Sequence, residues 1–326
     1  MNRNTGHNYP EGAGQMDGLS AALNMCLPLL EGKLIYLDYP VHNNVGDLLI
    51  WLGGKKLFAR NGKKFLGQYS FSNMGRHAEY SLGECRTICF HGGGNLGDLY
   101  PLLQNFRERI IRQYPEKRIV MLPQSAHFEN VQALKDACRI FKSHPDLHIF
   151  LRDRHSHALL ANENVPNLAL CPDMAHALWH SLDVPVPGAG TTEPLYLFRR
   201  DKEAAQLPPE LAHEKLISVD WEDLIKGWIW RIYSLGIKTN ELDARDRLNN
   251  LLPACSIWGA VVNLLINRAV RLFAPHETIV TNRLHAVILA ALMGRRVIAY
   301  DNSYGKLSSY IDCWLGDMPH IELRKT

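Results

Sequence analysis

Short runs of consecutive apolar residues alternate along the first half of the chain with longer stretches in which apolar residues recur every three or four positions. The runs predict buried strands at 33–37, 64–69, 87–90, 118–122, 148–151 and 168–170, and the periodic stretches predict helices at 48–58, 102–113, 131–141 and 156–160. A further helix is expected at 19–30. Strand and helix alternate roughly every 30 residues, the pattern of a doubly wound parallel sheet.

Residues 181–194 are rich in Pro, Gly and Thr and read as a linker. Beyond them the alternation resumes. Strands are expected at 195–198 and 216–219, an amphipathic segment at 221–235, and helices at 242–252 and 257–273. The stretch 278–300 supplies a strand, a helix stopped by Gly294, and a last strand at 296–300. The expected organisation is a mobile tail at 1–30 and two Rossmann-like α/β domains, 31–185 and 186–326, facing a cleft.

Composition narrows the class. The chain has 326 residues, 46% of them apolar and 21% charged, with a net charge of +3. That is a globular balance with too little basic excess for a dedicated nucleic-acid binder. The seven cysteines are scattered and odd in number. They indicate a reducing compartment without a disulfide framework and offer no zinc spacing, so no metal is expected. No signal peptide is visible and no run of 18 apolar residues occurs, so a cytoplasmic location is expected. The segment KGWIWRIY at 226–233 mixes Trp with Lys and Arg. It suits either packing on its own domain or a membrane surface.

Candidate chemistry gathers where strands end. Arg283, Leu284 and His285 open the helix after the 278–281 region, where free N–H groups and a positive dipole end favour an anion; a satisfied Arg and His at a helix start is the alternative. Thr281 or Asn282 is the expected cap. Asp47 stands at the first strand-to-helix junction, as a site residue or as a helix cap. Gly92, Gly93 and Gly94 follow a strand directly, let a backbone approach a ligand, and precede Asn95. Arg152, Arg199 and Lys306 complete a cationic set suited to a small substrate with two anionic groups. His285 suits proton transfer near neutral pH.

Five segments together resemble the polysaccharide pyruvyl transferase family: GDLLIWLG (46–53), HGGGNLGD (91–98), LRDRHS (151–156), LFRRDKE (197–203) and TNRLHAVILAALMGRRVIAYDNSYGKL (281–307). They run in the family's order over residues 35–315. The resemblance implies a GT-B-like architecture, phosphoenolpyruvate as donor, and a sugar carrying pyruvate as a ketal as product, made during exopolysaccharide or capsule synthesis. It implies a lipid-linked acceptor, with contact at the inner face of the plasma membrane, and no cofactor. By motif, Asp47 falls on the family's Gly-Asp position, Arg283, Leu284 and His285 on its Arg-Leu-His triplet, and Arg152 on the Arg of its strand-end motif, with Ser156 one residue later than usual. The roles expected are His285 as acid or phosphate ligand, Arg283 and Arg152 as anion clamps, and Asp47 as base. A nucleotide-sugar glycosyltransferase of GT-B type is the competing expectation.

Overall fold

The computed structural model describes residues 12–185, 191–200, 211, 218–244, 254–301 and 305–324. It is a mixed α/β structure built on two all-parallel sheets, consistent with a Rossmann-like fold. The first sheet contains β1 (Leu34–Leu37), β2 (Phe65–Tyr69), β3 (Thr87–Phe90), β4 (Gly93–Gly97), β5 (Arg118–His127), β6 (Leu147–Leu151) and β7 (Leu168–Leu170). Its order is β2-β1-β3-β5-β6-β7, with β4 paired to the far half of β5. Strands β1 and β3 are wholly buried apolar runs, as a parallel strand covered on both faces must be. The second sheet, in the order β11-β10-β9-β8, comprises β8 (Leu195–Leu197), β9 (Thr278–Thr281), β10 (Arg296–Tyr300) and β11 (Ile321–Arg324).

The first sheet changes winding direction between β1 and β3: β2 is added on one side of β1, and β3 and its successors on the other. Ligands of open α/β sheets bind beyond the strand C-termini at such a switch point. Helix α2 (Val45–Arg60) leaves from that end of β1. Asn44 caps it, accepting from the Gly46 N–H at 3.1 Å, so Asp47 is released from capping.

Helix α2 is also the joint between the sheets. A β-carbon on Gly53 would stand 2.1 Å from the Met174 carbonyl oxygen. Only glycine lets α2 lie this close to the 3-10 turn Met174–Leu178 that follows β7. Helix α8 (Ala254–Phe273) packs on α2, and α9 (Leu284–Leu292), almost entirely buried, packs on both α2 and the turn. Leu48, Leu49, Trp51, Met174, Trp258, Val262, Val287 and Leu289 thereby belong to one continuous apolar cluster reaching both sheets.

Several elements differ from the sequence-based expectation. The first helix, α1 (Ala13–Ala22), begins earlier and gives way to a 3-10 segment at Leu23–Leu29, and Met16 and Leu19 are buried. The Gly92–Asn95 segment is not only a loop, because Gly93–Gly97 pairs with β5. β5 therefore runs on past Pro123, which sits where the register shifts and needs no ladder donor. The 221–235 segment divides into a 3-10 turn, Trp221–Ile225, and helix α7 (Trp228–Ala244). Strand β11 lies in what reads as a polar tail. Of the expected strand at 216–219, residues 216–217 lie outside the described residues, and Val219 bridges Leu197. Residues 245–252 of the expected helix at 242–252, residues 186–190 of the linker and residues 1–11 of the tail also lie outside them. The remaining helices are α3 (Arg76–Glu84), α4 (Pro101–Gln113), α5 (Val131–Ser143), α6 (Arg154–Asn162) and α10 (Lys306–Trp314).

Candidate active site

A cavity of about 410 Å³ opens between the strand ends of the two sheets. Its first wall is His42, Asn43, Asn44 and Asp47, with Gly94, Asn95, Tyr100 and Leu103 beside them. Arg152 forms its floor. The facing wall is Arg199, Trp221, Glu222, Arg283, Leu284 and His285, closed by Leu307.

The floor is built by the Arg-Asp-x-x-Ser sequence after β6. Asp153 caps α6 by accepting from the Ser156 N–H at 2.7 Å, and the Ser156 hydroxyl accepts from the Ala126 N–H at 2.8 Å. That ties the helix start to β5 and leaves Arg152 pointing along the strand ends. Its Nε donates to Ser125 Oγ at 2.9 Å, and one terminal nitrogen pairs with Asp173 Oδ2 at 2.6 Å. The Trp314 indole holds the Arg152 carbonyl at 2.8 Å.

Asp173 joins the two halves of the site. The same Oδ2 that receives Arg152 lies 3.2 Å from His285 Nε2, while Oδ1 accepts from the Ala175 N–H at 2.9 Å. Burial alone raises the Asp173 carboxyl, but the His285 imidazole and the Arg152 guanidinium outweigh it and hold Asp173 well below the usual carboxylate range. Nothing in the sequence pattern signals Asp173. It follows β7, a strand of only three residues, and only the packing of α2 on its turn brings it to His285.

On the opposite wall, Asp47 accepts from the Asn44 amide at 2.8 Å and lies 3.6 Å from His42 Nε2. Burial pushes its carboxyl up, but His42, and then His285, His91 and Arg152, bring it below its ordinary value. It is therefore a carboxylate at neutral pH, free to accept a hydrogen bond from a hydroxyl. Gly93 has a φ of 125° and passes close to Asp47: a β-carbon there would reach Oδ1 at 3.4 Å. Gly92 is packed away from the cavity beneath the Pro123 carbonyl, 2.8 Å from where a β-carbon would lie. Asn95 is held by the wholly buried Arg107, which takes the Asn95 carbonyl at 2.9 Å and the Asp38 carboxylate at 3.3 Å.

The second sheet places its groups through side-chain ties across β8 and β9. Thr281 Oγ1 donates to the Leu197 carbonyl at 2.6 Å, and Asn282 Oδ1 accepts the Arg199 N–H at 2.9 Å. Contrary to the expectation from sequence, neither residue is the cap of α9: Asn282 is spent on the strand end, and Thr281 Oγ1, besides donating to Leu197, accepts the Arg283 N–H at 3.0 Å. Arg283 occupies the cap position with extended backbone and no side-chain cap bond, so His285 lies on the first turn. The Arg283 guanidinium grips Asp220 in a two-point contact, Nε to Oδ1 at 2.6 Å and a terminal nitrogen to Oδ2 at 2.7 Å. Asp220, like Asp173, carries no sequence signal, since its partner is 63 residues away. Lys306 opens α10, and its side chain lies outside the described residues.

The site residues foreseen from sequence are thus largely brought together. Asp47, Gly94, Asn95, Arg152, Arg199, Arg283, Leu284 and His285 share one cavity. It presents guanidinium groups and a helix start on one side, a carboxylate and amides on the other, and an imidazole held by a buried carboxylate. Such a set can bind a small dianion, exchange a proton with it and orient a hydroxyl compound opposite.

Over 95% of this chain and 98% of the other, the fold matches that of a functional uncharacterized protein, KP1_0663, from Klebsiella pneumoniae, with a TM-score of 0.56 at 21% identity. EpsO of Bacillus subtilis, named as a pyruvyl transferase, is 35% identical over 296 residues, covering 90% of this chain and 88% of EpsO. Pyruvyl transferase 1 of Schizosaccharomyces pombe is 27% identical over 300 residues, covering 87% of this chain and 70% of its own length. Residues 44–304, the span that includes Asp47, Arg152, Asp173 and His285, match the family described as polysaccharide pyruvyl transferase. The chain belongs to the polysaccharide pyruvyl transferase family and is a pyruvyl-transferring enzyme of polysaccharide biosynthesis.

Proposed function

We propose that the enzyme transfers pyruvate from phosphoenolpyruvate to two hydroxyls of one sugar residue, forming a ketal. The observation that carries this reading is the pairing, in one cavity, of the Arg152–Asp173–His285 group with the Asp47 carboxylate opposite. Phosphoenolpyruvate has a carboxylate and a phosphate. Arg152, Arg199, Arg283 and the start of α9 supply charge and N–H groups for both, with Lys306 proposed to join them. Leu284 and the glycine segment shape the walls.

In the proposed reaction, protonated His285 gives its proton to the methylene carbon, and the enol double bond supplies the electrons for the new C–H bond. C2 becomes electrophilic. A sugar hydroxyl attacks it and loses its proton to Asp47. The C2–O bond to phosphate breaks and phosphate leaves, carrying the proton that Asp47 took; the second hydroxyl then closes the ketal on C2 and passes its proton to the now neutral His285. Asp47, held below the usual carboxylate range, is a weak base. Its part is to orient the hydroxyl and take the proton as the C–O bond forms. No cofactor enters this scheme.

The same reading assigns a two-domain, GT-B-like organisation in which residues 31–185 face the acceptor and residues 186–326 the donor. The acceptor is a lipid-linked oligosaccharide. The exposed Trp228 and Trp230, at the start of the helix that follows the cavity-lining Trp221–Glu222 turn, rest on the inner face of the plasma membrane. Thermal shift with phosphoenolpyruvate against UDP- and GDP-sugars, followed by phosphate release with lipid-linked acceptor, tests the reading. Stabilisation by a nucleotide sugar alone would replace it with glycosyl transfer.

A further inference from the structure

We propose that Asp173 is the positioning residue of this site. It fixes the orientation and tautomer of the His285 ring, so that Nδ1 is the nitrogen that exchanges a proton with the substrate. The proposal rests on the reading above for its chemistry and on geometry for its assignment.

Asp173 is wholly buried, and both of its oxygens are committed. Oδ1 takes the Ala175 N–H, and Oδ2 takes Arg152 and faces His285 Nε2. Its own backbone N–H donates to the Tyr310 hydroxyl at 3.0 Å, and that hydroxyl is 2.8 Å from His176 Nε2. A carboxylate tied at so many points does not rotate.

The neighbourhood of Nε2 then decides the tautomer. Arg152 brings a second group to that nitrogen, a guanidinium N–H at 3.5 Å, which can only donate. With Asp173 present, an acceptor lies nearer than this donor, and the ring presents Nε2–H to it. Were the carboxylate replaced by a neutral group, the Arg152 N–H would meet the Nε2 lone pair and draw the proton to Nδ1. Asp173 therefore outvotes Arg152, and the nitrogen left to accept and release a proton is Nδ1. A histidine ring oriented by a carboxylate at one nitrogen works chemically at the other.

The far side of the ring fits this assignment. Nδ1 faces Gly46, where a β-carbon would stand 2.4 Å away. With glycine there the ring packs against α2 without a clash, which holds its orientation from the side away from Asp173. The charged and titratable groups around the ring are Asp173 and His176 beyond β7, Arg152 beyond β6 and Asp47 on α2.

Long-range ¹H–¹⁵N NMR of the wild-type protein reads the tautomer directly, with His285→Gln assigning the signals. The expected result is a neutral ring protonated at Nε2. In Asp173→Asn, Nδ1–H becomes populated, kcat for phosphoenolpyruvate falls at least 100-fold, KM changes less than threefold, and Asp173→Glu recovers part of the loss. A wild-type ring protonated at Nδ1, or unchanged ring signals in Asp173→Asn, would overturn the proposal. So would a loss in Asp173→Asn that disappears when the rate is taken per folded molecule. The NMR readout needs no substrate, so a protein that releases no phosphate from phosphoenolpyruvate defeats the functional reading while leaving this assignment decided by the ring.

Discussion

Gly46 lies against the His285 imidazole so closely that a β-carbon on it would stand 2.4 Å from Nδ1 and 2.8 Å from Cγ. Such contacts do not occur, so Gly46→Ala must displace the ring. A displacement of about 1 Å at a reacting group costs on the order of 100-fold in rate. The expected outcome is a fall of that size in kcat with the fold intact, read by steady-state kinetics beside circular dichroism.

Arg283 and Asp220 form a buried two-point ion pair, each side chain under a tenth exposed. Removing one partner leaves an uncompensated buried charge, which costs roughly 3–5 kcal/mol. Asp220→Ala should lower stability by about that amount in urea unfolding. Arg283→Lys keeps the charge but cannot match the two oxygens. It should raise KM for phosphoenolpyruvate about tenfold or more, because the strand-end geometry loosens.

Stability should fall as pH drops from about 6 to about 4. Burial holds His91 at about 3 and His176 at about 4, so both stay neutral in the folded protein while they protonate in the unfolded chain. Each therefore contributes stability at neutral pH that is lost on acidification. Asp38 works the other way. Burial raises it to about 6 against the pull of Arg107, so the folded state holds its proton where the unfolded chain has lost it. Two groups against one leave a net excess of about one proton on the unfolded chain, or roughly 1.4 kcal/mol per pH unit. Urea midpoints at stepped pH check the slope, and His91→Gln should halve the histidine contribution. Asp173, held low, keeps its own contribution until the pH falls below the ordinary carboxylate range near 4.

Trp228 and Trp230 are 61% and 60% exposed, and Arg231, Leu235, Lys238 and Leu242 continue along exposed positions of the same helix. Among the described residues no helix is long and apolar enough to cross a membrane. Any bilayer contact through this helix is therefore with the surface. Co-sedimentation with vesicles rich in phosphatidylglycerol should be retained by the wild type and lost by the Trp228→Ala, Trp230→Ala double variant. That variant should process a water-soluble acceptor at the wild-type rate. Equal sedimentation of both proteins would remove membrane contact from the proposal.

The strands were legible because burial on both faces leaves continuous apolar runs, as at Ile35 and Ile88. Arg283, Leu284 and His285 were legible because the chain changes from strand to helix there within a few residues. Gly93–Gly97 was not, because glycine has no side chain to display a period, and its pairing is decided by the far half of β5. Asp173 and Asp220 were invisible for another reason. Each takes its meaning from a partner brought across the structure by packing: His285 is 112 residues from Asp173, and Arg283 is 63 from Asp220. Local pattern carries no trace of such pairs. Asn44, not Asp47, proved to be the cap, and that exchange is what frees Asp47 for the cavity.

The seating of Gly53 on the Met174 carbonyl works as a gauge. It sets main chain against main chain, and through α2 and the turn after β7 it fixes how far Asp47 stands from Asp173. Side-chain trimming at the cavity wall does not change that span. Under the proposed function, adaptation to a bulkier sugar acts through the rim, at residues 42–44, 94, 95, 100 and 103, and leaves the gauge untouched. Acceptor preference can drift along this rim while the distance across the reacting groups stays constant.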